Sequence, residues 1–116
     1  MANLMPSDIV KEVQSVLAFV AGASGSPPYV TAYQILGCLP VGIRDRLIRE
    51  RRLGGAGSGV QYSAVSVVAD AAGMVDGVEV AFIDARELTF RVGGQAIVPG
   101  YPVVGLYRQC ARLPHA

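Results

Sequence analysis

At Met74 the hydrophobic period of this chain changes from that of a helix to that of a strand. Before it, Ile9, Val13, Val16, Leu17 and Val20 recur on one helical stripe. After it, Val78, Val80 and Phe82 alternate with Glu79, Ala81 and Ile83, and Leu88, Phe90 and Val92 alternate with Thr89 and Arg91. A 3.6-residue period buries one face of a helix, and a two-residue period buries one face of a sheet. Helices first and strands later specify an α+β fold. The expectation is about four N-terminal helices, over roughly residues 7–73, packed on a C-terminal antiparallel sheet of three or four strands, over roughly 74–110. At 116 residues the whole chain, 1–116, is read as a single domain.

Local signals place the elements. Ser7 is the expected cap of the first helix, with Asp8 and Glu12 in its first turns and Gly22 at its end. Val10 and Phe19 lie off its main stripe, which calls for a second packing neighbour. Lys11 is its only basic residue, which argues against a membrane-surface helix. Thr31 and Gln34 form a T-x-x-Q capping box, and Val30 and Ile35 stand where a hydrophobic staple would close around it. Pro40 suits the first turn of the next helix, whose apolar side is Ile43, Leu47 and Ile48. Asp45–Arg49 and Arg46–Glu50 are spaced as i, i+4 ion pairs, and Gly54-Gly55 stop the helix. Ser63 caps a fourth, small-residue helix that ends at Gly73. Gly93-Gly94 is a two-residue hairpin turn whose central positions need positive φ. It joins a strand ending at Val92 to a return strand over 96–98. Pro99-Gly100 turns the chain once more, into a last strand over 103–108.

Composition then limits the function classes. Hydrophobic residues make up 52% of the chain and charged residues only 16%, with net charge +1 and mean hydropathy +0.42. Average soluble domains carry about 25% charged residues. The surplus predicts apolar surface left over after folding, and hence a homo-oligomer, most simply a homodimer, or a protein partner. A net charge so close to zero gives no global attraction to nucleic acid or anionic membrane. Cys38 and Cys110 lie far apart without CxxC spacing, and His115 is the only histidine, so no metal-ligand pattern exists. Reduced cysteines, no signal peptide at the N-terminus and no membrane-length apolar run point to the cytoplasm and away from the membrane.

Three features carry candidate chemistry. The first is the basic segment with Arg44, Arg46, Arg49, Arg51 and Arg52. Continued as a helix, it puts Arg46, Arg49 and Arg52 on one arc, opposite Leu47. Such an arc suits an anion, an acidic protein partner or simply solvent. Tyr29 and Tyr33 precede it and are read as a surface pair beside it. A capped helix, a tight turn, a basic helix and a glycine-rich exit into Val60-Gln61-Tyr62 resemble a winged-helix DNA-binding domain, over about 30 residues and without a specific motif. That resemblance implies a nucleic-acid partner for Arg46, Arg49 and Arg52. The second feature is the glycine run GGAGSG, at 54–59. It follows a helix and lacks Gly-Lys-Ser/Thr, so it reads as a flexible connector and not a phosphate loop. The third is a set of acids, Asp70, Asp76, Glu79, Asp84 and Glu87, of which two in one cleft could serve as acid and base. No histidine is placed to activate Ser63, Ser66 or either cysteine. No catalytic residue, cofactor or metal is therefore assigned, and the expected role is non-catalytic binding in a self-associating protein.

Overall fold

The computed structural model describes residues 3–22, 27–55 and 62–109. A 3-10 turn at Pro6–Asp8 leads into α1 (Val10–Gly22), and a two-residue strand β1 (Val30–Thr31) leads into α2 (Ala32–Cys38). Helices α3 (Val41–Arg51) and α4 (Ala64–Gly73) follow. The strands β2 (Val78–Asp84), β3 (Phe90–Val92), β4 (Gln95–Ile97) and β5 (Val103–Gln109) complete the α+β architecture.

The capping box forms as its residues predict. Thr31 Oγ1 accepts the Gln34 amide at 3.2 Å, and Gln34 Oε1 accepts the Thr31 amide at 2.7 Å. Ile35 is fully buried and Val30 packs against the same core. Ser63 likewise caps α4, accepting the Ser66 amide at 3.2 Å.

The helix ends differ from the expectations in three places. Ser7 does not cap α1. Pro6 starts a separate 3-10 turn, in which Asp8 Oδ2 accepts the Met5 amide at 2.8 Å, and Ile9 accepts the first bond of α1, from Val13. Pro40 stands one residue outside α3, at ψ 138°, and its carbonyl accepts the amides of Ile43 and Arg44. Helix α3 stops at Arg51, before the glycines, because Arg52 takes φ 65°. The Arg52 carbonyl accepts the Ala64 amide at 2.8 Å, and Leu53 is buried behind it. This ties the end of α3 to the start of α4.

The strands pair differently from a simple meander. The three-stranded sheet is antiparallel, with β5 in the centre and the order β1-β5-β2. Val30 and Val80 both stand opposite Tyr107, from either side. The hairpin turn at Gly93-Gly94 forms with φ 56° and 85°, but β3 and β4 make a two-stranded sheet of their own. That hairpin packs on α2, where Phe90 stacks on Tyr33 with ring centroids 4.8 Å apart, and Val92 and Ile97 are buried. The third strand of the main sheet comes instead from β1, just ahead of the α2 cap.

One core joins these parts. Ile9, Val13 and Leu17 of α1 meet Ile35 and Leu36 of α2, Leu47 of α3, and Val67 and Val68 of α4. Phe19, expected on a second packing face of α1, is 81% exposed, while Val10 does pack against the core. No helix among the described residues is long and apolar enough to cross a membrane.

Candidate functional site

The arginine segment does not present a continuous arc. Arg46 Nε donates to Glu50 Oε2 at 2.6 Å, and Glu50 Oε1 accepts the Leu4 amide at 2.8 Å. The Arg46 hydrogen bond, with the Leu4 amide second, holds the Glu50 carboxyl below the usual carboxylate range. Arg51 donates from Nε and Nη2 to the Leu4 carbonyl at 3.2 and 3.0 Å, and its guanidinium lies 5.1 Å from the centroid of the Tyr62 ring. Asp45, expected to pair with Arg49, sits 3.3 Å from Arg44 Nε. Arg49 and Arg52 are exposed, but Arg52 is past the helix end and does not continue the line of Arg46 and Arg49. Much of this basic helix therefore clasps the N-terminal segment.

The two tyrosines expected beside it part company. Tyr29 is half-buried, with the Arg108 guanidinium 4.4 Å from its ring centroid. Tyr33 is not a surface residue. It is 7% exposed, because as the second residue of α2 it falls on the core side and stacks on Phe90.

The acids are likewise dispersed. Asp70 accepts the Tyr62 hydroxyl at 2.6 Å. Burial, that bond and the Asp70 charge together push the Tyr62 hydroxyl up to about 12, against the opposing pull of Arg51. Glu79 pairs with Arg108 across β2 and β5, and Asp84 pairs with Arg86 at 2.6 Å. The Arg86 bond keeps Asp84 below the usual carboxylate range. No group of three His, Cys, Asp or Glu side chains that could hold a metal occurs among the described residues. Cys38 is exposed, whereas Cys110 and His115 lie outside the described residues. Of the glycine run, Gly54 and Gly55 are closely packed: an added Cβ would stand 2.6 Å from Ser63 Oγ and from Ile97 Cγ1, respectively. Residues 56–59, and the wing expected through Val60 and Gln61, lie outside the described residues.

Two features emerge that the linear pattern did not single out. The first is a cavity of about 690 Å³ bounded by α2, α4, β5 and the segment between β4 and β5. Its polar side chains are the hydroxyl-bearing Tyr33, Ser63, Ser66, Tyr101 and Tyr107, and among the described residues no charged side chain lines it. Three of the chain's five tyrosines meet there. Burial raises the Tyr33 hydroxyl above its ordinary value. It does the same to Tyr107, with the Asp70 charge adding to the effect. Gly105 forms part of the floor, and a Cβ added to it would lie 2.7 Å from the Tyr107 hydroxyl oxygen. That glycine inside a strand pattern was the signal in the sequence, since such a residue often marks a close approach.

The second feature is the outer strand β2. Val80 is 47% exposed, Phe82 71% and Ile83 38%. Directly opposed residues in an antiparallel pair share a face. Val80 opposite Tyr107 and Phe82 opposite Gly105 thus carry the cavity's side of the sheet outward as uncovered apolar surface. Comparison of the chain with protein-family models, with curated proteins and with solved structures returned no match to any of them.

Proposed function

We propose that this chain is a small, non-catalytic, cytoplasmic binding protein that self-associates by pairing β2 with β2 of a second copy. The observation that carries the reading is β2 itself. It is seven residues long, it forms the outer edge of its sheet, and it exposes Val80, Phe82 and Ile83. Natural edge strands are normally blunted by free charges, prolines or shortness, to prevent edge-to-edge pairing. Here the acidic residues of the strand are each engaged within the chain, Glu79 by Arg108 and Asp84 by Arg86. An antiparallel two-fold pairing centred on Ala81 sets Val80 opposite Phe82 of the second copy, and Phe82 opposite Val80. Such a self-complementary arrangement is what a two-fold interface requires. Sedimentation velocity tests it. The wild type is expected to associate at micromolar concentrations and Phe82→Asp to remain monomeric. A wild-type chain that stays monomeric at high micromolar concentration removes the reading.

The nucleic-acid reading draws on the exposed Arg49 and Arg52 alone, because Arg44, Arg46 and Arg51 face partners within the chain. Two exposed guanidiniums make a weak phosphate contact set. Fluorescence anisotropy with random duplex DNA should show no binding at physiological salt. A low-micromolar dissociation constant, lost on changing Arg46, Arg49 and Arg52 together to Gln, would put that reading first.

A further inference from the structure

We infer that the cavity between α4 and β5 is a binding site for an uncharged, planar aromatic ligand that carries carbonyl or ring-nitrogen acceptors. Its size comes first. At about 690 Å³ it falls within the range of small-molecule sites.

Charge comes second. Among the described residues no lysine, arginine, histidine or carboxylate lines the cavity, so neither an anion nor a cation entering it would find a counter-charge in direct contact to offset the loss of hydration. The Asp70 carboxylate lies near enough to disfavour ionisation of Tyr107, and it would repel an anion in the same way.

Hydrogen bonding comes third. Tyr33 and Tyr107 are 7% and 9% exposed, yet neither hydroxyl has a hydrogen-bond partner among the described residues. A tyrosine hydroxyl, ordinarily near 10 and raised further here by burial, is protonated at neutral pH and so able to donate. Ser63 Oγ and Ser66 Oγ lie 3.2 Å apart, and that contact uses only one of their two hydroxyl protons. The cavity thus offers four donors in a neutral setting, from Tyr33, Tyr101, Tyr107 and the serine pair, which suits acceptors on an uncharged ligand.

Shape comes last. Gly105 leaves the space that the Tyr107 hydroxyl occupies over β5, and the Tyr101 ring stands 81% exposed against the cavity, available to cover a ring. The site does not use β2, so it stands or falls separately from self-association.

A matched series of benzamide, benzoate and benzylamine tests it, since the three share a ring and differ in charge. Two-dimensional amide NMR of the full chain is the readout. Benzamide is expected to shift the amides of Ser66 and Gly105, with the two ions binding at least about tenfold more weakly. Tyr107→Phe, which removes one donor and keeps the ring, should weaken benzamide by about fivefold. If that variant does not fold, Tyr33→Phe, which likewise removes one donor and keeps the ring, should show a loss in its place. Equal binding of the three compounds, shifts confined to other surfaces, or no shift at millimolar benzamide would overturn the assignment. So would unchanged affinity in the folded variant. A wild-type monomer that still binds benzamide would remove the self-association reading and leave this one standing.

Discussion

Helix α4 and strand β2 are both rich in apolar residues, yet they meet opposite fates. Ala64, Val67, Val68, Ala71 and Ala72 of α4 are each 0% exposed. No residue of β2 is buried, and Phe82, its largest, is 71% exposed. The difference is one of position. Helix α4 is enclosed by α1, α2, α3 and the sheet, whereas β2 has β5 on one side and, among the described residues, no strand on the other. Apolar character marks a segment that gains from being covered, and the topology decides whether this chain covers it. The uncovered strand is therefore where a second molecule has most to gain, since burying apolar area is worth roughly 25 cal/mol per Å².

One substitution made at both places should break or sharpen that contrast. Val68→Asp puts a charge into the enclosed side of α4, with no partner to pair it. It should destabilise the chain by more than about 4 kcal/mol, which circular dichroism would register as loss of the folded state. A folded, cooperative Val68→Asp protein would show that α4 is not enclosed.

Thr31 stands between the two regions, because it caps α2, which packs on α4, and pairs with Leu106 of β5, the neighbour of β2. Thr31→Ala should lower stability by about 1 kcal/mol in urea unfolding, through loss of the cap. An unchanged midpoint would mean that α2 does not rely on it.

A smaller loss should appear only in alkali. Tyr62 leans on α4 through Asp70, and its hydroxyl is pushed up to about 12 in the folded chain, from an ordinary value near 10. A raised folded value means that the stabilisation is complete below pH 10 and drains away as the pH climbs toward 12. Stability measured across that window should fall in the wild type and stay flatter in Tyr62→Phe. Parallel curves would refute the linkage.

The smallest effect belongs to β2. Val80→Asp, the same chemical change as in α4, should cost the monomer less than about 1 kcal/mol, because the side chain is already half in water. A loss as large as that of Val68→Asp would mean that β2 is covered in solution.

The sequence by itself determined the α+β class, the Thr31 and Ser63 caps, the Gly93-Gly94 turn and the burial of the Ile9, Val13 and Leu17 stripe. These depend on residues within a few positions of one another, where periodicity and capping chemistry act directly. Only the tertiary structure decided that β1 joins β5, that the hairpin leaves the main sheet for α2, and that Tyr33 turns inward onto Phe90. It also decided that Arg46 and Arg51 clasp the N-terminal segment through Glu50 and Leu4, and that three tyrosines and two serines meet around one cavity. Each of these contacts brings together residues far apart in the chain. No local period encodes such a contact, and a glycine at position 105 is the one trace of it that the linear pattern carried.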